Sequence, residues 1–143
     1  MNARIAGLKR YRKKGEEGES LTEAVLVEGV GMEGDIHQGG ERQISLLPAE
    51  TRRWMENQRE KGLCFVRYRE NILTEGLELG VLSEQDCLLV GDAVLRISKR
   101  NKQCFSDCTL YSQGTSCRLA DSALFAVVEK SGTVRNGDPI HIE

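Results

Sequence analysis

Short runs of apolar residues, separated by turn-forming residues, recur along the chain and predict a protein built mainly from β-strands. Near the N-terminus, strands are predicted over residues 4–11 and 24–28, and we expect them to form a hairpin around the charged loop between them. Later strands are predicted over residues 44–47, around Ile72, and over 87–90, 94–98, 124–128, 133–135 and 140–142. Gly91-Asp92 and Asn136-Gly137 supply turns between them.

A single helical segment interrupts this pattern. Pro48 suits the first turn of a helix and Gly62 suits its exit, and residues 49–61 lie between them. Trp54 and Met55 are its strong apolar anchors, so we expect a surface helix. Several short strands, one or two short helices and no alternation of strand with helix predict a closed or nearly closed antiparallel β-barrel.

Composition places the chain among ordinary globular proteins. Its 143 residues predict one domain spanning residues 1–143. The formal net charge of -2 provides no general attraction to nucleic acid or to an anionic membrane. No apolar run approaches the length of a signal peptide core or of a membrane helix, so we expect a cytoplasmic protein without nucleic-acid or membrane partners.

Five cysteines are an odd number for a chain without an export signal, and they indicate reduced thiols with a chemical role. Cys104, Cys108 and Cys117 cluster in one segment just after a predicted strand, where loops commonly display reactive groups. Lys102 and the basic pair before it directly precede Cys104, and nearby cations stabilise a thiolate. Cys104 is therefore the predicted reactive thiol.

Two other interpretations of the cysteines remain open. Cys64 and Cys87 lie among apolar neighbours and are expected to be small buried hydrophobes. Three thiolates, from Cys104, Cys108 and Cys117, together with His37 would complete a tetrahedral zinc site. The absence of any C-x-x-C pair argues against zinc.

A glycine-rich segment, residues 31–47, places polar side chains beside glycines that leave backbone amides open to a ligand. These side chains are Asp35, His37, Glu41, Arg42 and Gln43. The combination suits a phosphate or a polar heterocycle, although a purely structural glycine turn has the same composition. Further along, Asn71 precedes a strand and is expected to be buried, where such a residue often satisfies loop backbone groups.

Taken together, these segments resemble the MOSC (molybdenum cofactor sulfurase C-terminal) family over almost the whole chain, in its small stand-alone bacterial form. The motifs that carry the resemblance are the glycine segment from Gly31 to Leu47, Glu70-Asn71-Ile72 with Thr74 to Gly76, Val90-Gly91-Asp92, the cysteine segment, and Gly132 to Ile140. Several ordered motifs are far more specific than any one of them alone.

The resemblance implies a β-barrel-like fold and a function linked to the molybdenum cofactor, with Cys104 carrying a sulfane sulfur or ligating molybdenum. It also implies that the pterin and phosphate site is lined by Gly34, Asp35, His37, Arg42, Gln43, Asn71 and Lys102. Cys108 and Cys117 accompany Cys104 at the spacings of this subgroup. Because the pyridoxal-phosphate desulfurase domain of the larger family members is not in this chain, we expect a separate sulfur donor such as a cysteine desulfurase.

Two positions depart from the family pattern. Phe105 stands where the subgroup often has a polar residue or histidine, which puts an acid or base role beside Cys104 in doubt. Residues 84–86, Glu-Gln-Asp, replace a glycine-bearing turn.

Three functions are consistent with the sequence. The first is a sulfur carrier, with a persulfide on Cys104, or a binding protein for the cofactor. The second is a molybdenum-dependent reductase of N-hydroxylated compounds, in which the cofactor supplies the chemistry. The third is a binding module that is clamped by zinc or acts as a thiol redox sensor.

Overall fold

The computed structural model describes residues 3–13, 18–56, 70–77, 82–100 and 124–143. Within these ranges the secondary structure is mainly strand. The strands in chain order are β1 (Ala3–Arg10), β2 (Glu19–Leu21), β3 (Glu23–Val27), β4 (Gly31–Met32), β5 (Ile44–Pro48), β6 (Ile72–Glu75), β7 (Cys87–Val90), β8 (Ala93–Arg100), β9 (Leu124–Lys130), β10 (Gly132–Arg135) and β11 (Pro139–Ile142), and the helix α1 (Ala49–Glu56) follows β5.

Seven strands close into a barrel in the order β11, β7, β8, β9, β5, β6, β1, with β11 paired to β1, and β2 extends β1 on the outside. The predicted closed β-barrel with a short helix is confirmed. One pairing differs from the antiparallel expectation: β5 and β6 run parallel, with Leu46 opposite Ile72. A parallel pair needs a long crossover, and the chain between these strands begins with α1.

The barrel interior is filled by alternate residues of each strand, as the two-residue period of a strand requires. Along β9, Leu124, Ala126 and Val128 belong to the buried apolar cluster, whereas Phe125 and Val127 do not. The largest fully buried side chains on the barrel strands include Ile5, Ile44, Leu46, Ile72, Leu88, Leu95 and Ile97, and Leu26 and Met32, from β3 and β4, belong to the same buried cluster. The side chains at the intervening positions of β9, Phe125 and Val127, point out of the barrel.

A second sheet, in the order β10, β3, β4, lies outside the barrel pairing. It corrects the expected hairpin of the first two predicted strands. The partner of β1 is β2, with Leu8 opposite Leu21, while β3 pairs with β10. β2 is short and polar and shows no alternation of apolar and polar residues, so the sequence does not predict it. The sequence therefore predicts a hairpin of β1 with β3, which is wrong.

The helix α1 spans the first part of the predicted helix; residues 57–62 lie outside the described ranges. Glu50 lies in its first turn, where a carboxylate interacts favourably with the helix dipole. The residue after it, Thr51, is buried, and Arg52 forms an ion pair with buried Glu70. In the described part of the chain, no helix combines the length and apolar character needed to cross a membrane.

Cys87 corrects a second expectation, because it is only partly buried. Its neighbour Leu88 points into the barrel, so Cys87 faces outward, opposite Arg96 of β8. Desolvation raises the pKa of the Cys87 thiol, and the carboxylates of Glu143 and Glu129 raise it further. This thiol is therefore held in its unreactive protonated form. Cys64 lies outside the described residues.

Candidate functional site

The segment between β4 and β5, residues 33–43, is the glycine loop. The middle and the end of the loop both pass close to Gly31, which has a φ of +129°. A Cβ at Gly31 would lie 3.0 Å from the His37 carbonyl oxygen and 3.2 Å from the Gln43 carbonyl oxygen. The Gly39 amide donates to the Val30 carbonyl at 2.8 Å and closes the loop on itself. Glycine at position 31 is thus required by the close approach of three backbone segments.

Asp35 is the centre of the loop, and its side chain is fully buried. Its Oδ1 accepts hydrogen bonds from the Tyr11 amide at 2.8 Å and from Asn71 Nδ2 at 3.1 Å. Its Oδ2 accepts the His37 amide at 2.9 Å and lies 2.9 Å from His37 Nδ1. One carboxylate therefore ties together the end of β1, the start of β6 and the loop itself.

The ionisation of Asp35 follows from these contacts. Burial acts to raise its pKa, but the hydrogen bonds from the His37 side chain and from the Tyr11 and His37 amides outweigh burial, and the pKa lies below its usual value. Asp35 is consequently a carboxylate at neutral pH. As a carboxylate it is a hydrogen-bond acceptor only.

His37 projects from this centre toward solvent. Its side chain is 38% exposed, in contrast to Asp35, and the Tyr11 ring lies edge-on to it with the ring centroids 6.2 Å apart. The backbone amide and the ring of His37 bind the same carboxylate oxygen, so the orientation of the imidazole is fixed by two contacts. A histidine oriented by a buried carboxylate is a common element of proton-transfer and metal sites.

Asn71 is fully buried, as expected from the sequence. Its Oδ1 accepts the Ser45 amide at 3.0 Å, and its Nδ2 donates to the Lys9 carbonyl at 3.2 Å as well as to Asp35. The Asn71 side chain thus joins β5, β1 and the glycine loop. It satisfies backbone groups, which is the structural role that the sequence left open for it.

Gln43 and Arg42 hold the far end of the loop against β9. Gln43 is buried; its Oε1 accepts the Val128 amide at 3.0 Å and its Nε2 donates to the Gly40 carbonyl at 3.1 Å. Arg42 is exposed, and its guanidinium carbon lies 4.8 Å from the centroid of the Phe125 ring, a cation–π contact. Arg42 therefore presents a positive charge on the outside of the barrel.

The loop also contacts the end of β8, from which the cysteine segment continues. The Ser98 hydroxyl donates to the Glu41 carbonyl, and Lys99 Nζ lies 3.3 Å from Glu41 Oε2. These contacts attach the last turn of the glycine loop to the strand that precedes Cys104 by a few residues.

Two contributors to this region were missed from the sequence. Tyr11 binds Asp35 through its amide, packs its ring against His37 and donates its hydroxyl to the Glu70 carbonyl at 3.0 Å. Ser98 is the second. Neither residue carries a sequence signal, because each acts through contacts that only the closed barrel creates.

The remaining site predictions, Cys104, Cys108, Cys117 and Lys102, lie outside the described residues. The same holds for the predicted metal ligand, Cys104, and for three of the four proposed zinc ligands. Among the residues that the structure does describe, no three histidine, cysteine or acidic side chains lie close enough together to hold a metal ion.

The described side chains divide into two groups. Asp35, Gln43 and Asn71 are buried and bonded to protein atoms, so they shape the loop. His37 and Arg42 reach solvent, and a Cβ at Gly39 or Gly40 would meet nothing within 4 Å. The Arg42 guanidinium and the open backbone at Gly39 and Gly40 offer donors that suit a phosphate or a polar heterocycle, and the His37 ring, oriented by Asp35, lies in the same loop.

Several solved structures share this fold. The crystal structure of the YuaD protein from Bacillus subtilis superposes with a TM-score of 0.69 at 20% identity, covering 98% of this chain and 94% of that one. YiiM from Escherichia coli gives a TM-score of 0.62 at 21% identity over 98% of this chain and 69% of that one. YiiM from Geobacillus stearothermophilus gives 0.67 at 16% identity, with coverages of 99% and 75%.

At these identities the structural likeness shows the fold alone. No curated protein is significantly similar to the chain in sequence. The family model described as "MOSC domain" matches residues 33–141, a range that begins at the glycine loop and ends in β11. This match covers most of the chain and confirms the resemblance drawn from the motifs. The chain therefore belongs to the MOSC domain family, whose members are generally linked to the molybdenum cofactor and to sulfur.

Proposed function

We propose that this protein is a sulfur carrier or cofactor-binding protein of molybdenum cofactor metabolism that acts in the cytosol through Cys104. The observation that carries the proposal is the attachment of the glycine loop to the end of β8 through Ser98, Lys99 and Glu41. From Ser98, six residues lead to Cys104, and an extended chain of that length spans at most about 20 Å. The chain length therefore limits how far Cys104 can lie from Ser98, the residue that contacts the glycine loop.

Charge and exposure support the same assignment. Among the loop residues that the resemblance assigns to the cofactor, Arg42 is exposed and His37 is partly exposed, and Lys99, paired with Glu41, places a cation near the start of the cysteine segment. Cations at this place stabilise the thiolate that Cys104 forms when it loses its proton, and they attract phosphate. By contrast, Cys87 is kept protonated by its carboxylate neighbours, so it is unsuited to this chemistry.

Residues of this chain would hold a molybdenum-pterin in distinct ways. Arg42 and Lys102 would pair with its phosphate, open backbone at Gly39 and Gly40 would admit the heterocycle, and the Cys104 thiolate would be a ligand of the metal. When bound, the cofactor supplies the metal at which sulfur is exchanged. A cysteine desulfurase, or another protein that delivers sulfane sulfur, would load Cys104.

Anaerobic isolation of the protein, followed by metal, pterin and persulfide analysis, tests the proposal. We expect a labile adduct of about 32 Da, one sulfur atom, on Cys104, or pterin bound to the protein. Cys104→Ser should remove the adduct and any bound molybdenum, whereas Cys87→Ser, at the outward thiol of β7, should retain both. The absence of both adduct and pterin from protein produced with ample sulfur would refute the proposal.

The same measurement separates the two other functions. Molybdenum in near-equal amount with protein, together with turnover of an N-hydroxylated substrate, would identify a reductase. Zinc without molybdenum, and unfolding on chelation, would identify a structural clamp.

A further inference from the structure

The contact of His37 with Asp35 selects the tautomer of the neutral His37 ring. The carboxylate oxygen 2.9 Å from Nδ1 is an acceptor, so Nδ1 must carry a proton in order to bind it. A neutral imidazole has one ring proton, and with that proton on Nδ1 the other nitrogen, Nε2, keeps a free lone pair. The structure therefore fixes a single neutral tautomer.

The free nitrogen faces away from the protein centre. Nδ1 is turned toward Asp35, whose side chain is fully buried, whereas 38% of the His37 side chain is exposed. Nε2 lies on the ring edge opposite Nδ1, so it points away from that buried carboxylate. The loop backbone that follows His37 in the chain is open at Gly39 and Gly40, where a Cβ would meet no atom within 4 Å. A ligand over the glycine loop would meet a lone pair rather than an N–H.

We propose that His37 is a proton-transfer residue of this site and that Asp35 is its positioning residue. This inference rests on the proposed function and names the group that moves the proton during sulfur transfer. A carboxylate that holds the tautomer and stabilises the imidazolium gives a histidine this capacity. The site thereby gains a base that the departure at Phe105 had put in doubt.

The step is a thiol–persulfide exchange that needs no external oxidant or reductant. The accepting thiol loses its proton to Nε2, and its sulfur attacks the terminal sulfur of a donor persulfide. The sulfur–sulfur bond of the donor breaks, a new one forms on the acceptor, and the leaving thiolate takes the proton back from the His37 imidazolium. The products are a persulfide on the acceptor and a thiol on the donor.

The experiment measures sulfane-sulfur uptake from glutathione persulfide by the full chain at neutral pH. Loss of a general base typically slows a reaction by about 100-fold or more, so we expect His37→Gln to lose that much. Added imidazole should restore part of the rate, because a free base can replace the missing ring whereas it cannot repair a folding defect. The matched control is His141→Gln, at the exposed histidine of β11 and the second of the two histidines, which should behave as the wild type.

Nitrogen-15 NMR of histidine-labelled protein tests the positioning role of Asp35. Neutral His37 should show a protonated Nδ1 and a bare Nε2 in the wild type. Asp35→Asn should give a mixture of tautomers, since an amide can donate or accept. His141 should not respond to the Asp35 substitution. This measurement needs no ligand. If Asp35→Asn folds poorly, the tautomer of His37 in the wild type alone still tests the inference.

The outcomes distinguish the inference from the proposed function. Uptake that proceeds equally in the wild type and in His37→Gln would overturn the inference and leave the sulfur-carrier function standing. A protonated Nε2 in neutral wild-type His37 would overturn it as well. No uptake by the wild type, with a bare Nε2, would overturn the proposed function and leave the assigned tautomer standing.

Discussion

Two glycine-bearing regions of the barrel use glycine for opposite purposes. At the corner where β10 meets the β7–β8 turn, a Cβ on Gly132 would lie 2.4 Å from the Asp92 carbonyl carbon and oxygen. In the glycine loop, a Cβ on Gly39 or Gly40 would meet nothing within 4 Å. Glycine allows backbone segments to touch in the first region, and it leaves open space above the backbone in the second.

The two regions also differ in what holds them. The corner is closed by backbone hydrogen bonds, from the Asp92 amide to the Thr133 carbonyl at 3.3 Å and from the Gly91 amide to the Pro139 carbonyl at 3.2 Å. The glycine loop is held by buried polar side chains, with Asp35 at the centre. Side chains that turn inward to hold a loop leave its outer surface free for a ligand. The glycine loop is thus the region suited to binding, and the corner is suited to stability.

The largest effect on stability is expected from substitution of Gly132, at the corner between β10 and the β7–β8 turn. Gly132→Ala should lower the free energy of unfolding by about 3 kcal/mol, because the new methyl group meets backbone, which cannot yield without breaking the β10 pairing. Urea denaturation measures the change. Gly7→Ala is the matched control, since its methyl group would meet the flexible Leu73 side chain at 3.3 Å, and it should cost about 1 kcal/mol or less. Equal effects of the two substitutions would show that the corner is not tightly closed.

An intermediate effect is expected at the centre of the loop, and it depends on pH. The folded pKa of Asp35 is below its unfolded value, so its carboxylate stabilises the fold above the unfolded pKa, and that contribution is lost as the pH falls through the folded pKa. Asp35→Asn should therefore cost about 2 kcal/mol at neutral pH and progressively less in acid.

Denaturation at several pH values tests this, with Glu33→Gln as the control in the same turn. Glu33 is exposed, so its substitution should change the stability little at any pH. A cost of Asp35→Asn that is the same at neutral and acid pH would contradict the assignment of a buried, hydrogen-bonded carboxylate.

The smallest effect on stability is expected at Gln85, where the backbone conformation suits glycine. Gln85 has a φ of +79°, a left-handed conformation that costs an L-residue energy and that glycine adopts freely. Gln85→Gly should raise the stability by about 0.5 kcal/mol, the relief of strain being partly offset by chain entropy and by loss of the 2.8 Å bond to Arg96. Thermal unfolding detects this change. A clear loss of stability would show that the Arg96 bond outweighs the strain.

Much of the barrel could be predicted from the sequence, because strands such as β7 and β9 are short apolar runs separated by turn-forming residues. The pairing of strands could not be. The partner of β1 is the polar β2, and β5 lies parallel to β6, and both choices are set by how the closed barrel brings distant segments together. Cys87 illustrates the same limit, since its side of the strand depends on register.

For the predicted site, the sequence singled out polar residues but did not show which of them are buried and which reach solvent. Asp35, His37, Arg42, Gln43 and Asn71 all stood out as polar residues beside glycines or strand ends. Which of them turn inward is determined by the amides of Tyr11, Ser45 and Val128 and by the carbonyl of Lys9, which reach them from other parts of the barrel. No local pattern encodes such contacts, so the oriented His37 became visible only in the fold.

The claim on which the function rests is that the cysteine segment and the glycine loop meet in one site. A spin label on Cys104, in protein whose other cysteines are replaced, tests it most directly through its broadening of the two histidine ring signals in NMR. We expect the signal of His37 to broaden strongly and that of His141, on β11 at the level of Leu89, to change much less. Strong broadening of His141 with an unaffected His37 would contradict the claim.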